Sequence, residues 1–133
     1  MHFKLITHDR IVFDEDVNEI YTRGIDGEFG VLENHVPMMT ALDVGVTKVV
    51  QGDDVKFFTT MGGIFQFKDN LATILTDTAE TGEDIDITRA RAAQERAEAR
   101  LADREACIDS KRAEAALARA KARLKVALNQ GNR

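Results

Sequence analysis

The sequence predicts an α+β protein in which an antiparallel β-sandwich or flattened barrel is followed by an α-helical hairpin. Three observations lead there. All seven Phe, the single Tyr, the single Pro and eight of nine Gly precede Glu83. That first part alternates short runs of β-branched and aromatic residues with turn-forming residues, with no helical pattern between them. The remainder is alanine-rich, lacks aromatics and consists almost wholly of strong helix formers. The two regimes meet near Thr81-Gly82, so the expected units are 1–82 and 83–133.

Within the first unit, residues 3–7, 46–50, 55–59, 64–67 and 71–75 carry the strand-like runs. Asp26-Gly27, Gly52-Asp53-Asp54, Gly62-Gly63 and Lys68-Asp69-Asn70 supply the turns between runs. The phenylalanines furnish a bulky core, and Phe3, Phe29, Ile64 and Phe65 are expected to be buried or partly buried.

Asp84 or Asp86 can cap the first helix, with Ile85 placed to pack back onto the sandwich. Residues 89–106 then run as helix. Asp109 or Ser110 offers a second cap for 111–128, and Gly131 ends that helix. Ala113, Leu117, Ala120, Leu124 and Ala127 fall on one face and form a narrow seam for another helix. An alanine seam contributes far less than the ~1.5–3 kcal/mol of each buried leucine. Residues 105–110 contain neither Gly nor Pro, so a continuous rod of roughly 65 Å is the competing conformation. Strong helix propensity over weak packing suits a switching element. It equally suits a loosely packed two-helix tail, and periodicity leaves both open.

Composition narrows the function classes. A chain of 133 residues with 44% hydrophobic and 31% charged residues is globular. Its lone cysteine, Cys107, forms no internal disulfide, which suits a reducing compartment. No apolar run approaches the roughly 20 residues of a membrane span, and the first residues lack signal-peptide character. A net charge of −5 speaks against nucleic acid as a partner. The expectation is a soluble cytoplasmic protein.

Catalytic constellations are missing from the pattern. Ser110 is the only serine, and the histidines His2, His8 and His35 form no metal-ligand or nucleophile–base spacing. Gly62-Gly63 belongs to no phosphate loop. His35, beside Pro37, is expected as a turn residue bonded to backbone. The arginines are more informative. Arg89, Arg96 and Arg100 share one helical face, and Arg112, Arg119 and Arg123 share another. The first part carries a net −8 and the second a net +3, and beyond Lys111 the only acid is Glu114. An acidic protein loop or a polyphosphate would satisfy that surface, and a solvated basic face is the bland alternative.

Ordered motifs then identify a resemblance. Gly27-Glu28-Phe29-Gly30-Val31-Leu32-Glu33-Asn34-His35-Val36-Pro37, Met61-Gly62-Gly63-Ile64-Phe65 and Ile74-Leu75-Thr76-Asp77-Thr78-Ala79-Glu80 precede an Ala/Arg helical tail. In this order they resemble the epsilon subunit family of the F-type ATP synthase, over essentially the whole chain. The resemblance implies a sandwich of about ten strands that joins the gamma subunit to the c-ring. It also implies a mobile helical domain that inhibits ATP hydrolysis and, when extended, meets the catalytic beta subunits through its basic second helix. The 26–33 loop, with Gly27 and Glu28, would face the c-ring, and His35 and Pro37 would shape the same end.

Some bacterial members bind ATP through an Ile/Leu-Asp-x-x-Arg-Ala motif, matched here by Ile85-Asp86-Ile87-Thr88-Arg89-Ala90. By resemblance the site comprises Glu80, Ile85, Asp86, Arg89, Ala90, Arg96, Arg119 and Arg123. ATP would be a regulatory ligand, with no metal and no catalytic residue required. The implied place is the cytoplasmic face of the cell membrane, as a peripheral subunit of a proton-translocating complex. The rival readings are a free-standing ATP sensor closed by its ligand, and an adaptor whose helices form an intermolecular coiled coil.

Overall fold

The computed structural model describes residues 1–102 and 110–129. Seven strands come first: β1 (His2–Ile6), β2 (Ile11–Asp16), β3 (Glu19–Gly24), β4 (Gly27–Leu32), β5 (Met38–Gln51), β6 (Asp54–Lys68) and β7 (Leu71–Leu75). They hydrogen-bond in the order β2-β1-β7-β6-β5-β3-β4, and the β1–β7 pair alone is parallel.

The strands at 55–59 and 64–67, expected as separate, are one strand, β6, and Gly62-Gly63 is a kink within it instead of a turn. The β5–β6 ladder keeps one register through that point. Gly62 and Gly63 have φ of +77° and +116°, a region in which side chains strain the backbone. A Cβ on Gly63 would also stand 2.0 Å from the Leu75 carbonyl oxygen. The kinked hairpin thus serves two layers. One contains β2, β1, β7 and the adjoining halves of β6 and β5; the other contains their remaining halves with β3 and β4. Because each long strand runs through both layers, the sandwich has seven strands, where about ten were expected.

Aromatic contacts close the interior. Phe13 lies 5.7 Å from Phe3 and 5.5 Å from Phe58, and Phe29 lies 5.3 Å from Phe65. Phe3 and Phe65 are fully buried and Phe29 half-buried, as expected. Ile64 is not: it is 48% exposed. Alternation explains the difference, since Phe65 and Phe67 take the inner face and leave Ile64 and Gln66 outside.

The chain leaves β7 through a 3-10 turn, Gly82–Asp84, whose Asp84 carboxylate accepts bonds from the Thr81 amide (3.2 Å) and hydroxyl (3.0 Å). Helix α1 (Ile87–Ala102) is capped by Asp86, whose Oδ1 accepts the Arg89 amide at 3.1 Å. Helix α2 (Ser110–Asn129) packs on α1 with one face and on β5 and β6 with another. Cys107, Asp109, Gly131 and most of the 105–110 joint lie outside the described residues. Ala113 and Ala120 of the expected seam are buried, and Leu117, Leu124 and Ala127 are half-buried. The second face, with Ala122 and Val126 buried, is an addition.

Two expected outcomes follow from this architecture. Gly63→Ala should cost on the order of 3 kcal/mol in urea unfolding, from strain plus the carbonyl clash. The second concerns the sheet edge, where His2 of β1 sits between two carboxylates of β2. Its Nδ1 is 2.7 Å from Asp16 and its Nε2 bonds Asp14. These bonds, Asp16 first, hold its pKa above the ordinary 6.5. The clip is therefore fully present below pH 6.5 and lost as pH rises through the raised value. The stability difference between the wild type and His2→Gln should be largest near pH 6 and shrink towards pH 9.

Candidate functional site

The segment after β7 is held against β6. The Thr59 amide donates to the Glu80 carbonyl and the Glu80 amide donates to Thr59 Oγ1, each at 2.9 Å. This fixes Glu80 at the foot of the helices. Past the 3-10 turn, Ile85 is half-buried and Asp86 starts α1. The connector, α1 and α2 together enclose a cleft of about 370 Å³.

Seven of the eight residues singled out for a nucleotide line that one cleft: Glu80, Ile85, Asp86, Arg89, Ala90, Arg96 and Arg123. Arg119, half-buried on α2, is not among the lining residues, nor are Arg100 and Arg112. Asp84, Ala93 and Ala120 complete the lining. Of these, Ala120 was legible as seam and Asp84 as a cap candidate, while Ala93 carried no signal beyond its nearness to the motif.

Arg123 Nε donates to Glu80 Oε1 at 2.8 Å, joining α2 to the sandwich exit. The two side chains are 35% and 26% exposed, so solvent screens the pair only in part. Among the described residues Arg89 and Arg96 have no ion-pair partner, and both are exposed. Two uncommitted guanidinium forks beside a third suit the oxygens of a polyphosphate. The alanines leave room close to the helix backbones, and Ile85 offers an apolar contact. Among the described residues no group of side chains could hold a metal.

Of the residues expected at a rotor contact, Gly27 and Glu28 lie at the start of one strand and His35 lies beyond its end. The 26–33 segment, expected as a loop, is mostly strand β4. Gly27 (φ +128°) and Glu28 open that strand, and His35 follows its far end. His35 Nδ1 donates to the Val36 carbonyl at 2.7 Å, and its ring meets Phe67 edge-on at 5.8 Å. Its observed contacts are those of a structural turn residue. Pro37 is exposed nearby. Glu28 instead lines clefts beneath α2, with Lys121 and Lys125.

Comparison with known proteins covers both parts of the chain. The family described as ATP synthase, Delta/Epsilon chain, beta-sandwich domain matches residues 1–82. The corresponding long alpha-helix domain family matches residues 83–127. The ATP synthase epsilon chain of Desulforamulus reducens is 42% identical over 125 residues, spanning 92% of this chain and 93% of that one. That of Nitratidesulfovibrio vulgaris strain DP4 is 41% identical over 129 residues, spanning 97% and 96%. Among solved structures, a chain of the Euglena gracilis mitochondrial ATP synthase (OSCP/F1/c-ring, rotational state 1) superposes with a TM-score of 0.81. It is 26% identical, with 95% of this chain and 79% of that chain covered. A chain of the Tetrahymena thermophila mitochondrial ATP synthase central stalk/c-ring structure shares the fold, with a TM-score of 0.58 at 16% identity over 98% and 95% of the two chains.

The Glu80–Arg123 pair gives the site its most direct structural test. A double-mutant cycle of Glu80→Gln and Arg123→Gln should return a coupling of about 1 kcal/mol in thermal unfolding, falling in high salt.

Proposed function

We propose that this chain, which belongs to the ATP synthase delta/epsilon family, is a non-catalytic central-stalk subunit that couples the rotor and senses ATP. Residues 1–82 would join the gamma subunit to the c-ring. The helices, within 83–133, would restrain ATP hydrolysis when extended and be held down by bound ATP. The observation that carries the sensing part is the gathering of Glu80, Asp86, Arg89, Arg96 and Arg123 into one cleft that exists only while the hairpin is folded. Arg119, one helical turn before Arg123, would join the phosphates once a ligand draws the helices together.

Electrostatics and packing support a ligand-set equilibrium. Without an anion, the arginines of α1 and α2 repel, and the alanine seam resists separation weakly. A triphosphate forms charge-assisted bonds to both helices in the folded form alone. A hundredfold preference for that form is about 2.7 kcal/mol, enough to move a loosely packed hairpin. When extended, α2 would present a surface with Glu114 as its one acid to the catalytic beta subunits.

An exposed apolar row supports the assembly part. Strand register places Ile11, Ile6, Leu75, Ile64 and Ala41 side by side across the outer face of the first layer. Ile25, 62% exposed, continues the row by bonding its amide to the Ala41 carbonyl. A contiguous apolar stripe across five strands is a docking surface, and it favours a chain that works inside a complex over a free-standing sensor. We assign it to the gamma subunit, with Gly27, Glu28 and His35 as rotor contacts. No described helix is long and apolar enough to cross a membrane. Its proposed attachment is peripheral, at the cytoplasmic face of the membrane.

Calorimetry on the isolated chain tests the sensing reading. ATP should bind saturably at or below millimolar concentration, and Arg89→Ala should weaken it by about tenfold or more. Absence of saturable binding, or unchanged affinity in Arg89→Ala, overturns it. For assembly, Ile64→Lys should abolish co-purification with gamma while changing the isolated chain's stability by less than about 0.5 kcal/mol.

A further inference from the structure

Where α2 lies on the sandwich, charge is unevenly matched. Lys121 and Lys125 are one helical turn apart and share a face with Ala118 and Ala122. Two clefts of about 270 and 330 Å³ separate this face from the second layer. Lys125 lines both, and across from it stand Arg23, Lys48, Asp43 and Glu28. Four cations therefore meet two carboxylates. Asp43 is already engaged by Arg23, 3.9 Å away. Lys48 lies over the Tyr21 ring at 5.6 Å, with no carboxylate of its own among the described ion pairs. Glu28 lines both clefts and is the cross-strand partner of Arg23.

We propose that Glu28 is the electrostatic keystone of the docked hairpin, the carboxylate that offsets the cations of α2 and of the sandwich beneath it. The buried apolar contact here rests on Ala122 and Val126, with Ala118 exposed at its margin, and contributes little beyond the valine. With Glu28 charged, the sandwich side is neutral overall and α2 is tolerated. With that charge removed, the sandwich side becomes positive and repels the two lysines. A basic group on a partner that captures Glu28 would have the same effect and release α2. The β3–β4 strand pair thereby becomes a link between whatever binds it and the position of the helices. The inference rests on the reading that the hairpin can leave the sandwich, and needs neither nucleotide nor rotor.

The test uses the full chain in a Cys107→Ser background with Ala122→Cys, a buried site on the docking face. Its labelling by a thiol reagent at low ionic strength reports the undocked fraction. Glu28→Gln should accelerate labelling about fivefold, a factor in keeping with a partly screened charge. Adding 0.5 M NaCl, or introducing Lys125→Gln, should return Glu28→Gln to within about twofold of its parent, because both relieve repulsion. Unchanged labelling in Glu28→Gln, or acceleration that neither salt nor Lys125→Gln corrects, overturns the keystone. Val126→Asp, which undocks the helix regardless of Glu28, is the reference. If it too labels at the parent rate, the hairpin does not leave the sandwich and the reading beneath the proposal falls as well.

Discussion

Everything in this molecule hangs on the close passage of β6 beside the end of β7. At Gly63 the backbone comes so near the Leu75 carbonyl that no side-chain carbon fits between them. The positive φ of both glycines bends the long β5–β6 ladder there without breaking its register. That bend folds a seven-stranded sheet onto itself, brings Phe13 to Phe58 and Phe29 to Phe65, and creates an interior. It also fixes where β7 ends, and so where Glu80 is delivered beside Thr59 and where the helices begin.

From that exit the helices inherit a division of labour. Helix α2 is the shared element, with one alanine face on α1 and another on the second layer. Small side chains bring backbones close but bury little apolar area, so packing by itself holds the helices weakly. The remaining hold is electrostatic and sits at two places. At one, Arg123 meets Glu80 while Arg89 and Arg96 have no ion-pair partner in the cleft among the described residues. At the other, Glu28 sits among the cations of α2 and β5. Both places lie in clefts outside the sandwich core, where a charge can be added without disturbing that core.

The outer surfaces carry complementary information. The apolar row from Ile11 to Ile25 arises because five neighbouring strands each place an apolar residue at the same height on the solvent face. No single strand displays it. Ile64 read in isolation belongs in a core; read in register it belongs to an exposed apolar row. The imidazole of His2, clasped by Asp14 and Asp16 two residues apart, secures the same β1–β2 edge at the end of β2 away from Ile11.

Local chemistry was legible along the chain because it depends on neighbours in sequence. Asp86 caps α1 since its carboxylate reaches an amide three residues on, and the motif from Ile85 to Ala90 announces the cleft it lines. The confinement of aromatics to the first part marks the sandwich, and the 71–75 run coincides with a strand because turn residues bound it. Other features had no local signature. A glycine pair reads alike as turn or kink until the carbonyl of Leu75 approaches it. Glu28 reads as a loop acid until α2 lies above it, and the spacing of Ala118, Ala122 and Val126 is mute until a sheet supplies its partner. The helices, the Asp86 cap and the strand runs within β1, β5, β6 and β7 could be read along the chain, because they are set within a few residues, whereas β2, β3 and β4 gave no such run. Tertiary structure decided which faces meet, because burial and charge pairing depend on residues brought together from distant parts of the chain.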